Sequence, residues 1–465
     1  MSVINPRSIG KTTDSWRGEF AATLRLAGPL ALAGLLQMAI GAMDVMFIAR
    51  LGPIELAGSS LAVAFQGTIL WSLMGLTGSV SAVIAEAIGR KGPAVREVRR
   101  ATRMAFWLSI LFGLSGMALC FAGEWVMRIT GQEPRVAAPA SAYLDIIAWA
   151  FIPQLLANVL RNFVSALGRP FFATFIVFSM LPVNFVGNYL LVFGAFGFPE
   201  LGLEGAAWAS VITGIATLGA YILAIHSDRR LRRYHIFGNV WRSEWAAFRT
   251  ILRIGCPVAV TIIAEAGLFN AAAFLMGNIG ALELAAHTLA INIAALAFQI
   301  PFGIGQAATI RVGYHYGARN KVAVGRAGWA AVICGLAFVA FTGGAMLFTP
   351  EFLLTPWIDP TAPENRALAA LAVSYLAVAA AFQLSDTVQA ILMGALRGLQ
   401  DTRIPMTFAL IGYWGCGFTL AIYLGFETPF AGQGIWIGLA TGLSLVSIAL
   451  LQRWLRREKL NLIRH

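Results

Sequence analysis

Twelve long apolar runs, each bounded by Gly, Pro or charge, leave this chain almost nothing that could fold in water. They fall at about residues 21–49, 54–88, 100–124, 138–166, 170–194, 203–226, 247–278, 284–314, 323–348, 367–396, 403–425 and 432–455. An α-helix needs about 20 apolar residues to cross a bilayer, so each run is a predicted span, the longer ones tilted or projecting. Only 12% of residues are charged and the mean hydropathy is +0.74, whereas soluble domains carry roughly a quarter charged residues. The predicted fold is an all-α polytopic membrane protein with no sizeable soluble domain.

The net charge of +12 does not point to nucleic acid, because the basic residues lie between apolar runs and not on a soluble face. Arg90, Lys91, Arg96, Arg99 and Arg100 follow the second run; Arg229, Arg230, Arg232, Arg233 and Arg242 follow the sixth. The alternate connections carry Glu200 and Glu204, then Glu283, then Glu351, Asp359 and Glu364, then Glu427. The positive-inside rule puts the basic loops, the tail with Arg453, Arg456, Arg457 and Lys459, and both termini in the cytoplasm of a cell inner membrane. Up to Glu19 the chain is polar, and the run that follows has no signal-cleavage pattern, so the first span should be retained. Cys120, Cys256, Cys334 and Cys416 stand singly in apolar stretches and read as small core residues.

The second half repeats the first. LRLAGPLALAGLLQMA from Leu24 aligns with LRIGCPVAVTIIAEAG from Leu252 at an offset of 228, and Gly52, Glu55, Leu61 and Gly89 meet Gly280, Glu283, Leu289 and Gly317. One residue out of that register, Gln154 meets Gln383 and Ala166-Leu167 meets Ala395-Leu396. The predicted divisions are a cytoplasmic segment 1–20, a six-helix bundle 21–227, a basic linker 228–246, a second bundle 247–455 and a basic tail 456–465. Two six-helix halves share orientation, which predicts a substrate path between them near the membrane midplane.

An ionisable residue inside a span is costly and is by default a functional candidate. Glu265 in VAVTIIAEAGLFNAAAF and Asp386 in AVAAAFQLSDTVQAILMG lie mid-run, and Asp44 lies in the outer part of the first run. Their repeat mates are Gln37, Ala157 and Ala272 respectively. The duplicated framework therefore tolerates neutral residues at these positions, and the fold alone does not demand the acids; the alternative is a carboxylate that only ties helices together. Asn184 and Asn188, one turn apart, share a helix face and form a candidate hydrogen-bonding cluster with Asp44. Asn270, Asn292, Gln299 and Gln389 are candidates to serve Glu265 and Asp386.

Glu86 and Asp145 lie near run ends, where snorkelling or a salt bridge suffices, and in GALRGLQDTRIP a structured loop pairing Arg397, Asp401 and Arg403 is expected. His287 and His315 are single residues near loops. Pro29 and Pro257 fall near the starts of the first and seventh helices, where a missing N–H costs little; Pro153, Pro182 and Pro301 lie deeper, as candidate kinks. No HExxH, CxxC, P-loop or GxSxG occurs, so nothing supports an enzyme, a cofactor or an ATP motor, and an ion gradient is left as the driving force.

AMDVMFIARLG, PVNFVGNYLLVFGAFG followed by PELGLEGAAWA, AEAG, LAAHTLAINIAAL and FQLSDTVQAILMGALRGLQDTRIPM resemble the multidrug and toxic compound extrusion (MATE) family, NorM-type bacterial branch. The resemblance covers about residues 20–450. It implies the V-shaped twelve-helix fold of the MATE and MOP-type transporters. It also implies export of organic cations or other amphipathic molecules in exchange for Na⁺ or H⁺ by alternating access between two bundles, with a monomer sufficing. By position it carries the cation site, a Na⁺ site among the options, onto Glu265 and Asp386, and the first-bundle acid with its amides onto Asp44, Asn184 and Asn188. A tyrosine that some relatives place one turn before the helix-ten aspartate is Phe382 here, which removes one oxygen ligand. A carboxyl group in low dielectric favours its neutral form and so takes up a proton or an alkali cation. The runner-up, a flippase for a lipid-linked sugar, would line its cavity with arginines, whereas here the arginines are read as lying in loops; an intramembrane transferase would need a polar loop or acid–histidine constellation at the interface.

Overall fold

The computed structural model describes residues 15–90, 94–129 and 131–463; Lys91 and residues 1–14 lie outside them. Twelve helices long and apolar enough to cross a membrane follow one another: α1 Trp16–Ile48, α2 Pro53–Gly89, α3 Ala94–Phe121, α4 Pro134–Ala166, α5 Pro170–Phe193, α6 Gly202–Ser227, α7 Trp245–Ile279, α8 Ala281–Gly317, α9 Lys321–Phe348, α10 Pro363–Gly398, α11 Arg403–Phe426 and α12 Ala431–Leu455. No strand occurs among the described residues, as the solvent dictates: in lipid a helix satisfies its own backbone. The chain is an integral membrane protein. Local chemistry sets the ends. Prolines open α2, α4 and α5, where the first N–H groups have no helical partner; Gly194, at φ 65°, closes α5 in the left-handed conformation that glycine adopts without strain; the Asn320 side chain accepts from Ala323 N at 3.0 Å and caps α9.

The duplication is visible in lengths. α1 to α6 have 33, 37, 28, 33, 24 and 26 residues, and α7 to α12 have 35, 37, 28, 36, 24 and 25. The chain forms two compact units, residues 32–259 and residues 260–465 with 1–31. The changeover occurs within α1 and within α7, and Ala31 and Ala259 are repeat mates at the offset of 228. Pro29 and Pro257 stand two residues earlier in each. The expectation that these prolines sit at helix starts is corrected, because α1 and α7 begin at Trp16 and Trp245 and both prolines are interior. There each removes a ladder hydrogen bond, a local weakness just where the helix passes from one unit to the other. Pro153 follows a 3₁₀ turn, Ala148–Ala150, inside α4; Pro182 and Pro301 lie within continuous helix.

Within the unit of residues 32–259, α4 packs against α2, α3, α5 and α6. The segment after α6 is held along α3: Arg99 Nε, Arg103 Nη1 and Trp107 Nε1 donate to the carbonyls of Tyr234, Asn239 and Val240 at 2.7, 2.6 and 2.8 Å. Within the other unit α10 is the hub, packed by α8, α9 and α12. Glycines permit the closest approach, since a Cβ on Gly394 would strike the backbone of Gly305, and Thr309 Oγ1 donates across the gap to the Gly394 carbonyl at 2.9 Å. Asp401 does not pair with Arg397 or Arg403 as expected; its partner is Arg453 of α12, at 2.5 Å. Cys416 is exposed, not a core residue.

The first turn of α1 is fixed by an ion pair. Glu19, fully buried, accepts from Arg311 Nε at 2.8 Å and Nη2 at 2.6 Å, and His315 Nε2 lies 3.5 Å from the same carboxylate. His315 is thus not the isolated loop histidine expected. Removing one member of a buried pair strands the other charge, at a cost of roughly 3–5 kcal/mol. Glu19→Ala should therefore lower the thermal stability of the purified protein clearly, measured by size-exclusion chromatography after heating; an unchanged profile would mean that the pair does not anchor α1.

Candidate functional site

Asp44 of α1 meets α5 and α6 inside the unit of residues 32–259. Asn184 Nδ2 and Asn188 Nδ2 donate to Asp44 Oδ1 at 3.0 and 2.7 Å, and Ser210 Oγ donates to Oδ2 at 2.8 Å. Both asparagines are completely buried; their i,i+4 spacing puts both amides on the α5 face that meets α1. Asn188 is itself oriented by the Asn184 carbonyl, 3.1 Å from its Nδ2, and Tyr143 of α4 lies beside Asp44 and Ser210. Three neutral donors hold the carboxylate without supplying an opposite charge. Asp44 can therefore still exchange a proton for a cation, which a carboxylate locked to an arginine does not readily do.

Asp44 faces a cavity of about 340 Å³ whose wall also includes Gln37, Gln66, Trp71, Asn158 and Arg161. That volume lies within the range of small-molecule sites, and the mixture of aromatic wall with a few polar groups is typical of them.

A second group lies in the unit containing residues 260–465. Gln389 Nε2 of α10 donates to Glu265 Oε1 of α7 at 3.3 Å. Asp386, one turn before Gln389 on α10, is 5% exposed. Glu265, Asp386 and Tyr413 of α11 are within electrostatic reach of one another. Tyr413 belongs to a π-helical segment, Ile411–Phe418, a wider turn that recurs at functional sites. Next to it, Trp414 Nε1 donates to the Ala264 carbonyl at 3.1 Å and docks α11 one residue from Glu265. Asp386 Oδ1 and both polar atoms of Gln383 are buried without a hydrogen-bond partner among the described residues, and the Tyr413 hydroxyl is buried against the Gln389 side chain. Two carboxylates amid such oxygens can share a proton or hold a hard cation. Phe382 packs instead against Phe269 and Trp436, at ring separations of 5.9 and 5.7 Å. Asn270 and Asn292 are exposed, and among the described residues neither they nor Gln299 hydrogen-bond to Glu265 or Asp386.

The MatE family model matches residues 29–190 and 257–423, a span that includes every residue of both groups except Ser210. The chain belongs to the MatE family. It is 43% identical to a probable multidrug resistance protein NorM of Mesorhizobium japonicum over 96% of this chain and 95% of that one. Its fold matches a crystal structure of MATE in complex with MaL6, TM-score 0.85 at 18% identity, covering 98% and 99% of the two chains. It also matches an outward-facing multidrug resistance MATE family transporter of the MOP superfamily, TM-score 0.84 at 18% identity, covering 99% of each.

Measured against the sequence reading, this MatE protein brings Asp44, Asn184 and Asn188 together, and Glu265 with Gln389. Ser210, Tyr143 and Tyr413 escape it, because neutral hydroxyls are ordinary in membrane helices and only their neighbours reveal a role. The expectation that arginines stay in loops is corrected: Arg161, Arg311 and Arg397 lie inside α4, α8 and α10. Each stands near a helix end, where hydropathy cannot separate an inward-facing arginine from a loop one. Asp44→Asn keeps the volume of the side chain and removes its charge, and should weaken binding of ethidium to the purified protein by about tenfold or more, given the usual strength of charged contacts. Unchanged affinity with unchanged transport would leave Asp44 a purely structural role.

Proposed function

We propose that this protein is a multidrug efflux antiporter, exporting organic and mostly cationic compounds in exchange for Na⁺ or H⁺. The observation that carries this reading is Asp44: a carboxylate held only by neutral donors, in the wall of a cavity large enough for a drug. An organic cation and the coupling ion would compete for such carboxylates, and competition is what an antiporter needs. The naming of a 43% identical relative as a probable multidrug resistance protein supports the same substrate class. The pyrophosphate of a lipid-linked sugar would call for several cavity arginines, and this cavity has one, Arg161.

Coupling is assigned to Glu265 and Asp386, with Tyr413 beside them and a slight preference for Na⁺. The membrane potential supplies about 2.3 kcal/mol per charge per 100 mV. A tenfold ion gradient adds about 1.4 kcal/mol, so one ion supports roughly a several-hundred-fold gradient of a neutral compound. The protein acts in the cell inner membrane as a monomer, with both termini in the cytoplasm, and catalyses no covalent chemistry.

Ethidium efflux from energised cells tests the class: expression of the protein should accelerate it, and a dissipated ion gradient should stop it. Glu265→Gln and Asp386→Asn should each abolish ion-driven efflux in proteoliposomes while leaving the protein monodisperse, because the neutral isosteres keep volume but cannot carry the ion. As pH falls, protons occupy the same carboxyls, so Na⁺-driven efflux should weaken. A double Glu265→Gln/Asp386→Asn variant should lose the Na⁺ and H⁺ responses together, and a full proton-driven response in that variant would move coupling to Asp44.

A further inference from the structure

The outer half of α10 carries a buried polar cluster that the carboxyl pair does not account for. Tyr375, Phe382, Asp386 and Gln389 follow one another at helical spacing and form one stripe along the helix. At the outer end of the stripe Tyr375 meets His287 of α8 and Trp436 of α12, and all three are buried. The Trp436 ring lies 5.4 Å from that of His287 and 6.4 Å from that of Tyr375. The Tyr375 hydroxyl, His287 Nδ1 and Trp436 Nε1 are buried without a hydrogen-bond partner among the described residues. Gly432 of α12 leaves room for the hydroxyl, since a Cβ there would strike it. Glu283, half-buried at the start of α8, is within electrostatic reach of Tyr375. Unsatisfied polar groups in a low dielectric are costly, and a cluster of them is where buried water is held. The duplicated framework does not require this cluster, because the repeat mates of His287, Tyr375 and Phe382 are Ser59, Ile146 and Pro153.

Phe382 stands between the cluster and the carboxyl pair. It is 2% exposed and wedged between the rings of Phe269 and Trp436. From Tyr375 to Asp386 the helix rises by roughly 16 Å, with Phe382 on the way. Beyond it, Gln383 and Asp386 again carry buried polar atoms without a partner. Polar groups that hold water on both sides of one aromatic ring make a water path closed at a single point, and apolar constrictions gate ion paths by excluding water. We infer that the coupling cation reaches Glu265 and Asp386 from the outer side, through the second bundle along α10. His287, Tyr375 and Trp436 form its hydrated outer station, and Phe382 is the gate. Tyr375 and His287 offer lone pairs and Trp436 a ring face to a cation, while the indole N–H serves only water. Na⁺ and H⁺ both travel with water, so the station suits either. The inference rests on the coupling assignment and the orientation proposed above, and adds to them a route and its gate.

Two measurements in proteoliposomes without drug read the gate for each ion: exchange of radioactive Na⁺, and decay of an imposed pH gradient. Phe382→Ala should accelerate whichever the wild type supports by about tenfold, the equivalent of about 1.4 kcal/mol off the barrier. Tyr375→Phe, which keeps the ring and removes the hydroxyl, should slow it. Combining Phe382→Ala with Glu265→Gln and Asp386→Asn should abolish the acceleration; an acceleration that persists is a leak and overturns the inference. Should Phe382→Ala not be monodisperse, Phe382→Leu gives the same reading in smaller measure. Hydroxyl-radical footprinting in nanodiscs tests the station directly. Corrected for intrinsic reactivity, Tyr375 and Trp436 should be oxidised far faster than Phe151, which is equally buried at 0% exposed. Unchanged ion exchange in the Phe382 variants, or Tyr375 and Trp436 as inert as Phe151, overturns the inference and leaves the coupling assignment standing. A wild type that exchanges neither ion, or a Glu265→Gln/Asp386→Asn variant that exchanges them as the wild type does, overturns the coupling assignment and this inference with it.

Discussion

In a low dielectric a charge must find compensation inside the protein, and the organisation of this molecule follows from how each buried charge is compensated. Glu19 is answered by the full opposite charge of Arg311, in a bidentate pair that fixes the start of α1. Asp44 is answered by dipoles alone, two amides and a hydroxyl. Asp386 is answered only in part, keeping a buried oxygen without a hydrogen-bond partner among the described residues. These three degrees of compensation separate the structural charge from the exchangeable ones. A fully paired ion gains nothing from a ligand, whereas an incompletely satisfied one does.

The spans were legible in the sequence because lipid makes the rule simple: a run of apolar residues must become a helix, and its ends are marked by Gly, Pro and charge. The acids were legible for the same reason, as conspicuous departures from an apolar run. Asn184 and Asn188 could be grouped with Asp44 because a helix turn relates them to each other, but Ser210 could not, since its place beside Asp44 depends on how α6 packs. Tyr413 depends similarly on the π-helical turn of α11, which no periodicity in IGYWGCGF announces. Arg161 falls inside the predicted fourth span, yet the expectation that arginines lie in loops passed over it, because the positive-inside rule counts cations and is blind to the direction in which a side chain near a helix end points.

Comparison of the two halves shows where they diverged. Their helices match closely in length, and the fourth helix of each is the one the others pack around. Yet α4 has Ala157 and Arg161 where α10 has Asp386 and Ala390. On equivalent helices, one turn apart, one half kept a positive charge and the other a negative one. A duplicated scaffold with opposite polarity at its two hubs lets each bundle specialise in a different ligand without altering how its helices pack.

The passage of α1 and α7 from one compact unit to the other also bears on how the chain is made. Residues 245–259 belong with the first six helices: Ser79 Oγ donates to the Ile251 carbonyl at 3.3 Å, and a Cβ on Gly255 would touch the Leu76 carbonyl at 2.5 Å. The ribosome delivers that stretch only after α6 and the connecting segment have emerged, so the first bundle waits, incomplete, for the opening turns of the second. Glu19 waits longer still, inserted first and left without Arg311 until α8 arrives. Neither half can close on its own residues, and the membrane has to shelter both until synthesis has passed the midpoint of the chain.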